Sequence, residues 1–223
     1  MKSIIKRVER FWAEDRSLSI LLVILLVQIF FVIQFGQTNL FWKIIFSALY
    51  IFLLAVGLLY ITHTHKFAVT LFLALASAVM LCAVILTNAV WVDLLTDVFI
   101  VLYCLLLGWI VLMRTFSEGP ITHHRILGSI VSYLLIGLVF SNLYHIIYLC
   151  VGKDAFRGLG SSDNKEFMYF SITTLATLGY GDITPAIPLT RSLSNLEGLI
   201  GQLYPAILIT RIVSMQIEYY KKA

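Results

Sequence analysis

Apolar residues run in long, nearly unbroken blocks along this chain, and the polar positions collect between them. The blocks cover roughly 18–35, 41–61, 67–87, 94–113, 126–150 and 189–216. Each approaches the ~20 residues that an α-helix needs to cross the hydrocarbon core of a bilayer. The connections are short and no internal repeat is visible, so the pattern predicts six spanning helices and no soluble domain between them. A further apolar stretch, 165–176, is too short to span and lies between the fifth and sixth blocks. Such a segment suits a re-entrant helix. Non-helical backbone following it at membrane depth is tolerated only where protein buries it or water reaches it.

Polar residues at the block ends set the topology. Residues 1–16 place Ile4, Ile5, Val8, Phe11 and Trp12 on one helical face, with Lys2, Lys6, Arg7 and Arg10 on the rest. That pattern predicts an amphipathic interfacial helix on an anionic leaflet. The apolar run behind it lacks an A-x-A-like exit, so it reads as a retained first span rather than a cleaved signal. Basic residues recur at Lys66, Arg114, Arg125, Lys221 and Lys222, while 36–40 and 88–92 contain none. This alternation predicts both termini in the cytoplasm, with Trp42 and Trp91 at the outer interface.

Composition agrees with a membrane protein: 60% of the 223 residues are hydrophobic, 13% are charged, and mean hydropathy is +0.94. The basic balance belongs to the block ends, which argues for a lipid bilayer as partner and against nucleic acid. Cys82, Cys104 and Cys150 sit in or at the edge of apolar segments without C-x-x-C spacing. Neither a disulfide framework nor a zinc site is expected from them.

The candidate chemistry lies just after the short apolar stretch, in Thr177-Leu178-Gly179-Tyr180-Gly181-Asp182. Glycine accepts positive φ, so consecutive peptide planes here can turn their carbonyls to one side. A row of such carbonyls can replace the water shell of a cation. With Tyr169-Phe170-Ser171, Thr173 and Thr174 before it and Pro185 after, this stretch resembles the selectivity filter of potassium channels. The likeness covers about residues 126–217, in the order outer helix, pore helix, filter, inner helix.

The resemblance implies an all-α membrane protein with six transmembrane helices and a re-entrant pore helix and filter between the fifth and sixth. Its domains would be 1–16, 17–125 (a four-helix transmembrane unit) and 126–223 (the pore). It implies a homotetramer in the cell membrane, with K+ as permeant ion, no other cofactor, and no enzymatic chemistry. Thr177, Leu178, Gly179 and Tyr180 would bind K+, with Gly181 completing the filter. Tyr180 would point away from the pore and pack against neighbouring pore helices. Asp182, Thr173, Phe170, Tyr169 and Glu197 would support the filter, Glu197 by hydrogen bonding to the pore helix.

Three positions depart from the commonest pattern. Leu178 stands where valine is usual. Phe170 lacks the N–H donor that a tryptophan would aim at the filter tyrosine. Thr173 stands where some relatives place a glutamate behind the filter, which changes how Asp182 is held. In the inner helix Gly198, Gly201 and Pro205 weaken one region, since Pro205 cannot donate to the carbonyl of Gly201. The resemblance makes Gly201 a gating hinge; a static bend that shapes the cavity is the alternative. Gln202, Pro205 and Ile209 share the face expected to line the pore.

Gating charge is missing, because residues 91–113 contain no Arg or Lys and carry Asp93 and Asp97 instead. The first four helices are therefore not expected to form a voltage sensor. His63, His65, His123 and His124 on the cytoplasmic side, and His145 in the fifth block, read as interface or packing residues rather than a pH or metal sensor. The short tail after the inner helix leaves gating to the membrane, the filter or a regulatory partner. A nonselective cation channel of the same fold and a potassium-transporter subunit are the competing readings.

Overall fold

A computed structural model of the protein describes residues 18–32, 40–61, 67–87, 89–116, 123–160 and 164–222. The predicted interfacial helix at 1–16 lies outside them, as do His63, His65 and the side chains of Trp42, His123 and His124.

The described chain is almost wholly helical. The helices are α1 (Leu18–Phe30), α2 (Leu40–Ile61), α3 (Phe67–Leu86), α4 (Val90–Thr115), α5 (His123–Val151), α6 (Asn164–Leu175) and α7 (Pro188–Lys222). A π-helical turn, Gln28–Val32, finishes α1. In an apolar medium every backbone N–H and C=O must find its partner inside the chain, and a helix does this residue by residue. α4 stops where Phe116 N–H still reaches the Leu112 carbonyl at 3.0 Å. Gly119-Pro120 follows in the sequence and opposes continuation.

Ala68–Leu86, Val90–Thr115 and Arg125–Val151 are long and apolar enough to cross a membrane, and Leu18–Phe30 and Ser47–Leu58 are shorter apolar helices. α7 differs, because Arg191, Glu197, Gln202 and Arg211 are spread along its 35 residues.

α1 to α5 share one apolar core, including Leu21, Leu25, Leu53, Leu107, Leu135 and Leu138. Small residues let these helices approach. Tyr103 on α4 donates to the Leu54 carbonyl on α2 at 2.7 Å, and a Cβ at Gly57 would lie 2.3 Å from that hydroxyl. On α5, a Cβ at Gly128 would lie 2.6 Å from Thr115 Oγ1. Close backbone approach through small residues is how helices associate where lipid removes the hydrophobic driving force.

A second core, largely aromatic, joins α5 and α6 to the segment after α6. Phe140, Tyr144, Ala155, Phe156, Phe167, Phe170 and Ile183 form it. Two-residue strands β1 (Phe156–Arg157) and β2 (Thr184–Pro185) pair antiparallel, Phe156 with Pro185 and Arg157 with Thr184. The stretch 176–183 is thus anchored at both ends, by α6 before it and by β2 after it.

Candidate functional site

Between α6 and β2 the backbone alternates. Thr177, Gly179 and Gly181 take φ of 57°, 53° and 80°, whereas Leu178 and Tyr180 do not enter the left-handed region. Alternating hands rotate successive peptide planes so that their carbonyls can face the same way. Thr177 is the one non-glycine residue in this conformation among the described residues. A side chain there costs roughly 1–2 kcal/mol relative to the right-handed form, so the surroundings must hold it.

They do so through the end of α6. Leu178 and Gly179 N–H both donate to the Thr173 carbonyl, at 2.8 and 3.2 Å, and Thr177 N–H donates to Thr174 at 2.9 Å. Last-turn carbonyls that a helix leaves unpaired are met here by the following backbone. The negative end of the α6 dipole points the same way, which favours a cation. Thr173 therefore supports the stretch through its carbonyl, while its hydroxyl turns back to Phe170 O at 3.0 Å.

Asp182 is held by Tyr169, whose hydroxyl donates to Oδ2 at 2.7 Å. That bond, with the N–H groups of Ile183 and Asp182 itself, holds the carboxyl below its ordinary pKa despite partial desolvation. The Tyr169 and Tyr180 rings stack at 6.4 Å and 7°. Tyr180 thus leans on α6 of its own chain, and it keeps 67% of its surface exposed. Phe170 takes no part in this contact. It lies in the aromatic core, edge-on to Tyr144 and Phe156 at 5.0 and 5.4 Å.

Glu197 reaches α6. It is fully buried, accepts from Tyr144 at 2.6 Å through Oε2, and meets Ser171 through Oε1. Ser171 Oγ also lies 2.7 Å from the Gly137 carbonyl. One side chain on α7 therefore ties together α5 and α6.

Gly201 has a packing reason of its own. A Cβ there would lie 1.9 Å from the Leu175 carbonyl, which itself accepts from Tyr133 at 3.0 Å. Its missing side chain lets α7 touch the end of α6. α7 runs through Pro205 without interruption. Gln202, Pro205 and Ile209 are all exposed on the single chain.

Tyr144, Gly137, Tyr133, Gly158 and the bonding role of Ser171 escaped sequence reasoning. A Cβ at Gly158, whose φ is 84°, would lie 1.8 Å from the Asp182 carbonyl. Each acts across 24 or more positions, and no local pattern marks such a pairing. A glutamate inside an apolar block was the one available sign that hydroxyl partners should be sought. Among the described residues no group of histidines, cysteines and acids is placed to hold a metal ion.

With this geometry in view, comparison with known proteins is informative. Residues 128–218 match the family model described as ion channel. Over 93 residues the chain is 30% identical to two-pore potassium channel 4 of Arabidopsis thaliana, covering 39% of this chain and 33% of that protein. It is 45% identical over 85 residues to two pore potassium channel c of Oryza sativa subsp. japonica, covering 34% and 19%. It is 36% identical over 66 residues to the inward rectifier potassium channel Kirbac3.1 of Paramagnetospirillum magnetotacticum, covering 30% and 22%. The chain thus spans a third or less of the length of these relatives. Over part of its length the chain is similar to an ion channel family and to potassium channels, in line with the resemblance of the 177–182 stretch. It is a membrane protein with transmembrane helices.

Proposed function

We propose that this protein is a potassium-selective channel that conducts K+ passively across the cell membrane, without steep voltage gating and without covalent chemistry. The observation that carries the proposal is the alternating backbone at Thr177, Gly179 and Gly181, fixed to the carboxyl end of α6. Carbonyls of Thr177, Leu178, Gly179 and Tyr180, with the Thr177 hydroxyl, replace the hydration shell of K+. Gly181 and Asp182 end the row at the outer mouth.

One chain supplies one strand of such a ring, so the working unit is a homotetramer with closed symmetry. The exposure of Leu178 and Tyr180, 56% and 67%, supports this reading, since neighbouring copies would cover them. Six spans, with both termini cytoplasmic, place the filter mouth outside. Residues 17–125 form a four-helix unit and 126–223 the pore. α4 packs along α5 of its own chain, and the short connection after Arg114 favours an unswapped arrangement. Gln202, Pro205 and Ile209 line the inner cavity, and Gly201 and Pro205 form its bend.

The full chain in liposomes, under opposed K+ and Na+ gradients, tests this directly. A reversal potential near that for K+ is expected. A reversal near zero overturns selectivity and leaves a nonselective cation channel of the same fold.

A further inference from the structure

We propose that Glu197 is a neutral carboxylic acid, and that in this form it is a positioning residue latching the pore helix to the outer and inner helices. The consequence for the filter rests on the channel reading above; the protonation state rests on counting hydrogen-bond donors and acceptors.

Four groups meet at this point: Glu197 of α7, Ser171 of α6, and Tyr144 and the Gly137 carbonyl of α5. The Gly137 carbonyl can only accept, so Ser171, at 2.7 Å, gives it the one proton a serine hydroxyl has. Tyr144 directs its own proton to Glu197 Oε2 at 2.6 Å. Ser171 Oγ and Glu197 Oε1 then remain in close contact with no proton between them. An ionised Glu197 would set two oxygens lone pair to lone pair, or force Ser171 to abandon Gly137.

A proton on Oε1 removes the conflict. Oε1–H donates to Ser171 Oγ, Ser171 donates to Gly137, and Tyr144 donates to Oε2, so every polar atom in the group is satisfied. Nothing else on these helices supplies a compensating charge: among the described residues no cation is bonded to Glu197. The nearby Tyr133 hydroxyl is committed to the Leu175 carbonyl. The side chain is 0% exposed, where an isolated carboxylate is costly unless paired.

The latch bears on the filter through α6. Ser171 lies two and three residues before Thr173 and Thr174, whose carbonyls hold Thr177, Leu178 and Gly179. Fixing Ser171 to α5 and α7 fixes the height and rotation of those carbonyls.

The test compares wild type with Glu197→Gln, in the full chain reconstituted in lipid. Glutamine copies the neutral acid, with its N–H facing Ser171 and its oxygen facing Tyr144. The infrared spectrum of the wild type should contain a protonated-carboxyl stretch that is lost in E197Q. E197Q should assemble as wild type does and keep its K+/Na+ reversal potential. Absence of the carboxyl band overturns the proposal, and so does an E197Q that fails to assemble or loses selectivity while wild type retains it. Should wild type itself fail to discriminate K+ from Na+, the channel reading falls, and the infrared comparison still decides the state of Glu197.

Discussion

Two buried acids flank α5, and they are held in opposite ways. Asp97 of α4, 2% exposed, places Oδ2 2.6 Å from Nδ1 of His145. Its partner is a group that can carry the complementary charge, and the pair joins α4 to α5. His145 in turn packs its ring on Phe167 of α6 at 5.3 Å. Glu197, on the other side, meets among the described residues a phenol and a serine hydroxyl. The contrast separates two kinds of support. The peripheral unit is fastened by an acid–base pair that can be removed as a unit. The helix that leads into residues 177–182, α6, rests on hydroxyl contacts to Glu197 and on contacts too close for any added atom.

Four expected outcomes bear on that contrast, the most severe first. Gly201→Val should abolish K+ flux and assembly, because its Cβ would fall 1.9 Å from the Leu175 carbonyl. Overpacking of this kind costs about 1–3 kcal/mol or more even against movable side chains, and here the obstacle is backbone. Wild-type flux from that variant, measured as K+ uptake into liposomes, would show that α7 does not rest on the pore helix.

Asp97→Leu comes second. Removing one partner of a buried pair costs about 3–5 kcal/mol, so a lower thermal midpoint is expected, with the K+/Na+ reversal potential unchanged. A shift in reversal potential would mean that the peripheral helices shape the ion pathway itself and that the two kinds of support are coupled. Tyr169→Phe should act more gently. It removes the hydroxyl that holds Asp182, at an exposed position, so selectivity should survive while conduction lapses sooner during sustained opening. Single-channel recording checks this, and unaltered open times would deny Tyr169 its supporting role. The smallest effect concerns voltage: α4 carries Asp93, Asp97 and Arg114 and no basic series. The conductance–voltage relation should be shallow, and a steep one would assign gating charge to a region that lacks it.

Much of the fold was legible in the pattern of the chain. Predicted blocks at 41–61 and 67–87 meet α2 and α3 almost residue for residue, and 165–176 meets α6 displaced by one. Apolar length, glycine spacing and the placement of Pro205 are local properties, and helices in an apolar medium follow local rules closely. The alternating backbone at 177–181 was likewise anticipated from its glycines. Thr177 adopts the same conformation without being glycine, because hydrogen bonds from 177–179 to α6 impose it.

Other features were decided only in three dimensions. Gly201 offered a choice between hinge and bend, and the structure supplies a separate reason for its glycine in the approach to Leu175. Thr173 and Phe170 looked like losses relative to some relatives. In the folded chain the first acts through its carbonyl, the second belongs to an aromatic core, and Tyr169 holds Asp182.

The apolar helices, the short helix α6 and the glycine-bearing stretch after it follow from the sequence alone, because each depends on neighbours within a turn or two. Tertiary structure alone decided which hydroxyl meets Glu197, which base meets Asp97, and which carbonyl requires Gly201. Those pairings join residues 26 to 53 positions apart. Helix packing creates them, and no periodicity along the chain encodes the rotation of one helix against another.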